Sequence, residues 1–170
     1  MIKKKHSINS LSKIISNEKK RRKKIVLCHG VFDLLHIGHI KHFEKAKSFG
    51  DILIVSITAD KFVNKGPGRP AFSEENRLEA ISSLSSVDYV LINNNLTSTK
   101  LIKKIRPNVY CKGKDYKDKS KDITGEIKNE IKAINSVGGR IVFTEEKTYS
   151  SSNLINRFSK NISSEQKNSI

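Results

Sequence analysis

The sequence predicts an α/β protein, a Rossmann-like three-layer α/β/α sandwich around a mainly parallel five-stranded sheet. Continuous apolar runs such as DILIVSIT read as strands buried on both faces, the pattern of a parallel sheet. Segments of helical periodicity separate these runs, and no hairpin turn signal joins any two of them. Parallel strands then need crossover connections, which are right-handed in nearly all cases. At 170 residues the chain has the size of one such domain.

KIVLCHG is the first strand, closed by Gly30, and GHIKHFEKAKSFG is a helix ending at Gly50. DILIVSIT follows as the second strand. The loop ADKFVNKGPGRPAF leads to the helix SEENRLEAISSL, where Ser73 is a natural N-cap and Glu74 and Glu75 suit the first turn of the helix dipole. VDYVLI is the third strand. STKLIKKI is a short helix stopped by Arg106-Pro107, and NVYCKG is the fourth strand. ITGEIKNEIKAINSVGG is a helix ending at a glycine pair, RIVFT a fifth strand, and SSNLINRF a terminal helix.

The net charge of +16 raises the question of nucleic acid, but +9 of it falls in the first 24 residues, with KKRRKK at positions 19–24. The partition is a basic, flexible N-terminal arm at 1–23, a domain at 24–159 and a flexible tail at 160–170. INSLSKIIS leaves open a short amphipathic helix docking on the body or on a partner. No apolar stretch approaches the ~20 residues of a membrane span, and the N-terminus lacks the apolar core of a secretory signal. The expected location is the cytoplasm. Cys28 and Cys111 lie inside strand-like runs with no C-x-x-C spacing, so they read as buried, reduced thiols.

The chemistry centres on GVFDLLHIGHIKHF, at the carboxyl end of the first strand, where open α/β sheets bind ligands. His36 and His39 with Asp33 make a poor metal site, because three or four convergent ligands are required. Gly38 instead lets phosphates approach the backbone at a helix N-terminus, with the two imidazoles as flanking donors. His42, one turn on, packs or faces solvent.

GVFDLLHIGH resembles the H-x-G-H signature of the nucleotidyltransferase superfamily, which includes cytidylyltransferases, pantetheine-phosphate adenylyltransferase and class I aminoacyl-tRNA synthetases. KGPGRPAF, RPNVYCKGKDY and YSSSNLI further resemble, in order and spacing, heptose 1-phosphate adenylyltransferases and their glycerol 3-phosphate cytidylyltransferase relatives. The resemblance spans about Lys24 to Phe158. It implies transfer of a nucleoside monophosphate from ATP or CTP to a sugar or polyol phosphate, with release of pyrophosphate, for surface glycan synthesis. Mg2+ is expected to arrive bound mainly through the triphosphate, and a homodimer is in keeping with the relatives.

By the same resemblance, His36, His39 and Lys65 are the catalytic residues. Gly30, Val31, Phe32, Asp33, Gly38, Lys112, Gly113, Asp115, Ser150, Ser151 and Ser152 bind the nucleotide, with Asp33 structural in its turn rather than a base. Lys65 and Arg77 meet the substrate phosphate. No metal ligand is assigned to the chain. Glu145 to Lys147 stand where some cytidylyltransferases carry an Arg-Thr pair, and Asn153 follows the serines where the heptose enzymes are usually basic. A CTP-dependent, glycerol 3-phosphate-type activity is the alternative reading. A basic nucleic-acid-binding protein without enzymatic activity is a remote one.

Overall fold

The computed structural model describes residues 4–64, 66, 68–116 and 126–145. Helix α1 (Ile8–Lys20) precedes strand β1 (Ile25–Gly30), and α2 (Ile37–Lys47) leads to β2 (Ile52–Thr58). There follow α3 (Glu74–Ser82), β3 (Tyr89–Asn93), α4 (Thr99–Ile105), β4 (Val109–Gly113), α5 (Ile127–Ser136) and β5 (Arg140–Thr144). All pairings are parallel, and the strand order is β3-β2-β1-β4-β5. The order therefore reverses between β1 and β4, whose carboxyl ends, Gly30 and Gly113, lie side by side at the sheet edge where such folds bind ligands.

Strand alternation divides the core into two layers. Ile25, Leu27, Ile52, Ile54, Leu91 and Tyr110 face α1, α4 and α5, which contribute Leu11, Ile15, Leu101, Ile102, Ile105 and Ile134. Val26, Cys28, Leu53, Val55, Val90 and Cys111 face α2 and α3, with Phe43, Ala46 and Ile81. The seven residues of β2 are all buried, as a two-sided apolar run requires.

The local stops follow the sequence. Ser73 accepts a hydrogen bond from the Asn76 amide at the start of α3. Arg106 ends α4 in the left-handed region at φ 53°, ahead of a proline that cannot continue the helix. The terminal helix and the 160–170 tail lie outside the described residues.

The N-terminal segment differs from the expected flexible arm. Residues 4–6 add to the edge of β3, through Val90 N–H to the Lys4 carbonyl at 2.9 Å and His6 N–H to the Val90 carbonyl at 3.1 Å. Ser7 then caps α1 by accepting from Ser10 N–H. Leu11 and Ile15 are 0% and 1% exposed, and they pack in the core layer shared with α4. Burying two such side chains stabilises the fold by about 1.5–3 kcal/mol each. Lys19 continues that docked side, its ammonium donating to the Ile105 carbonyl at 3.0 Å at the end of α4. Among the described residues, no helix is long and apolar enough to cross a membrane.

Candidate active site

Chain leaving β1 must turn sharply into α2, and the turn is built tightly. Phe32 takes a left-handed conformation at φ 50°, uncommon for a residue with a side chain. Its ring lies so close to Gly30 that a Cβ there would come within 3.0 Å of it. The same ring meets His39 edge-on at 5.4 Å and Phe43 at 5.0 Å. Phe32 thus props the His39 imidazole from beneath.

Asp33 fixes the next stretch. Its carboxylate accepts from Ala71 N–H at 2.8 Å, Phe72 N–H at 3.1 Å and Arg69 Nε at 2.8 Å. Burial pushes the Asp33 carboxyl up, but these donors outweigh it and hold it below the usual carboxylate range. The carboxylate ties residues 69–72 to the turn after β1. Arg69, passed over in the sequence reading, is the loop's anchor; its side chain is 8% exposed, and its Nη2 has no hydrogen-bond partner among the described residues.

His36 caps α2 in extended conformation, its Nδ1 accepting from Gly38 N–H at 3.1 Å. An accepting Nδ1 carries no proton, so the neutral ring holds its hydrogen on Nε2. Burial holds the His36 pKa below the ordinary imidazole value of 6.5, which favours that neutral form. The Gly38 amide, expected to face phosphate, is therefore taken up by His36. The His36 and His39 rings stack with centroids 3.8 Å apart. His42 is buried and hydrogen-bonds Thr144 Oγ1 at 2.8 Å, and burial with the charge of Lys112 lowers its pKa to about 4.

Two cations assigned to ligands are engaged inside the protein instead. Arg77 is 1% exposed; it donates from Nε to the Phe72 carbonyl at 3.0 Å and from Nη2 to the Thr58 carbonyl at 2.9 Å. It also donates to the Val31 carbonyl and to Asp60. Its fork fastens the turn after β1 to the end of β2 and to the loop before α3. Lys112 is 5% exposed, pairs with Glu130 at 3.2 Å and lies over the Tyr116 ring at 4.0 Å. Glu130 accepts from Ser98 Oγ at 2.6 Å, and that hydroxyl is 2.9 Å from the Tyr110 hydroxyl. Burial raises the Glu130 pKa, but Lys112 and Ser98 outweigh it and hold it low. Lys112 thus anchors the end of β4 from within.

The structure gathers Gly30, Val31, Phe32, Asp33, His36, Gly38 and His39 around one turn, with Lys112 and Gly113 on the adjacent strand. The Asp115 backbone belongs to a 3-10 turn over Lys114–Tyr116. Lys65, Ser150, Ser151, Ser152 and Asn153 lie outside the described residues. His29, missed in the sequence reading, lies next to Gly30 with its Nδ1 3.1 Å from Ser56 Oγ; its signal was only its place before the glycine.

The cytidylyltransferase-like family model matches residues 27–157. Bifunctional protein HldE of Aliarcobacter butzleri is 45% identical over 121 residues, 69% of this chain and 25% of the relative. The protein of the same name from Geobacter metallireducens is 38% identical over 139 residues, 79% of this chain and 28% of the relative. The chain thus spans about a quarter of the length of these curated relatives. Among solved structures, a lipopolysaccharide core biosynthesis protein from Thermoplasma volcanium superposes with a TM-score of 0.61 at 27% identity, over 74% of this chain and 99% of that one. Pantoate-beta-alanine ligase from Francisella tularensis superposes with a TM-score of 0.59 at 20% identity, over 93% and 72%, a likeness of fold.

Proposed function

We propose that this chain, which belongs to the cytidylyltransferase-like family, transfers AMP from ATP to a heptose 1-phosphate. The observation that carries the reading is the His36–Gly38–His39 turn at the carboxyl end of β1, beside the reversal of strand order. The heptose acceptor is supported by the order of KGPGRP, KGKDY and YSSS in the sequence and by similarity to the HldE proteins.

In the proposed reaction a phosphate oxygen of the sugar phosphate attacks the α-phosphorus of ATP. A new P–O bond forms, the bond to the β-phosphate oxygen breaks, and pyrophosphate leaves with its electron pair. No covalent bond to the protein is needed, so catalysis is positioning and charge stabilisation. Neutral His36 donates through Nε2 to the phosphate oxygens, and His39 is held alongside it by stacking and by Phe32. Phosphate contacts from Lys65 and from the serines at 150–152 complete this reading.

Mg2+ neutralises the leaving group when it accompanies the triphosphate. The turn itself is a poor source of ligands for it. Its carboxylate, Asp33, is consumed by Arg69 and two amides. An ion carried mainly on triphosphate oxygens and water fits that donor set. In this reading the reaction takes place in the cytoplasm, in keeping with two buried thiols.

Pyrophosphate release from ATP, CTP, GTP and UTP, each with heptose 1-phosphate and with glycerol 3-phosphate, tests the assignment. ATP with the heptose phosphate is expected to be the fastest pair. Faster release from CTP with glycerol 3-phosphate would replace the acceptor and base with those of the alternative reading.

A further inference from the structure

Behind the phosphate-facing turn, the structure brings together three residues that the proposed reaction does not use. Cys28 and Cys111 are directly opposed in the β1–β4 register, so their side chains leave the sheet on the same face, toward α2. His42 projects from α2 onto that face. The ligand atoms of Cys28, Cys111 and His42 all lie within 4.8 Å of one another. Both cysteines are 0% exposed and His42 is 9% exposed.

The imidazole is already oriented as a ligand. Thr144 Oγ1 lies 2.8 Å from His42 Nδ1 and 3.5 Å from the Lys112 carbonyl; with the hydroxyl hydrogen turned to the carbonyl, Nδ1 carries the ring hydrogen and donates it to Thr144. Nε2 is then the nitrogen that carries the lone pair. Fixing one ring nitrogen by an outer hydrogen bond so that the other can bind is the usual support of a metal-bound histidine.

From this convergence we propose a thiophilic d10 metal site, for Zn(II) or Cu(I), formed by Cys28 Sγ, Cys111 Sγ and His42 Nε2. Two sulfurs and an imidazole select soft ions over magnesium or calcium. Metal–sulfur bonds of about 2.3 Å set ligand atoms about 4 Å apart, so the three close by less than about 1 Å around an ion. Three donors complete a trigonal Cu(I) centre; Zn(II) takes one water in addition. In either case both thiol protons pass to solvent, and the metal keeps its oxidation state. Two thiolates neutralise Zn(II), and the Cu(I) centre carries one negative charge close to Lys112. The ion would fasten α2, which carries His36 and His39, to β1 and β4.

The test uses the whole chain, reduced and stripped of metal, titrated with Zn(II) and, without oxygen, with Cu(I), each against a chromogenic competing chelator. One equivalent of at least one ion is expected to bind, with a rise in melting temperature. Cys111→Val, which preserves the packing volume, and Cys28→Ser should each weaken binding by 100-fold or more, and His42→Asn by 10-fold or more. The melting temperature of metal-free Cys111→Val serves as the control for folding. Failure of both ions to bind stoichiometrically would overturn the site. So would uptake that survives both cysteine changes, or uptake that is lost in His39→Ala and kept in Cys111→Val.

Discussion

The His36 and His39 imidazoles stack with ring centroids 3.8 Å apart and planes 22° from parallel. Two positive rings at that spacing repel, so the pair cannot carry both charges without cost. Burial lowers the His36 pKa and its Nδ1 is occupied as an acceptor, both of which favour its neutral form. The acid limb of kcat/KM, which reports the free enzyme, is therefore expected below pH 6.5. A midpoint above 6.5 would contradict a neutral His36. The folded chain takes up this proton less readily than the unfolded chain, so the stability it contributes at neutral pH is lost as pH falls below 6.5. His29, lowered to about 4 by burial and the charge of Lys112, extends that loss toward pH 4. Denaturant midpoints should be lower at pH 5 than at pH 7.5.

Arg77 joins three backbone carbonyls and Asp60 from a buried position. Lysine cannot reproduce that fork. Arg77→Lys should destabilise the protein by about 2–4 kcal/mol through unsatisfied buried acceptors, a fall of roughly 5–15 °C in Tm. An unchanged Tm with a raised KM for the sugar phosphate would instead show direct contact with substrate.

Glu130 and Lys112 are each 6% exposed in their side chains. Glu130→Ala strands a buried ammonium and should cost about 3–5 kcal/mol in denaturant titrations. The double change Lys112→Met with Glu130→Leu should recover most of that loss, because it removes both charges together. A double variant as unstable as the single one would show that the pair is not the source of the effect.

Leu11→Ala or Ile15→Ala should each cost about 2–5 kcal/mol, the range for emptying a packed core position. Deleting residues 1–22 should lower stability sharply, which a dispensable arm would not do. Thermal melts of the three variants measure this directly.

The sheet was legible because its strands are apolar runs and the helices between them carry boundary signals, such as the Ser73 cap that starts α3 or Pro107 after α4. The His36–Gly38–His39 turn was legible because its residues are contiguous. Arg77 and Lys112 were not, since their partners are backbone carbonyls at Val31, Thr58 and Phe72 or a carboxylate on a later helix, and these meet only once the chain is folded. The docking of α1 was obscured by the basic run that ends it, although Leu11 and Ile15 pack in the core and Lys19 donates to the Ile105 carbonyl. The meeting of Cys28, Cys111 and His42 depends on strand register, which no single motif encodes.

In the proposed reaction the stacked histidines perform nucleotidyl transfer. Pyrophosphate release from ATP and heptose 1-phosphate, compared between the unaltered chain and His39→Ala with matched melting temperatures, tests it most directly. A loss of at least about 100-fold in kcat is expected, as when a donor to developing charge is removed. Turnover in His39→Ala close to that of the unaltered chain would contradict it.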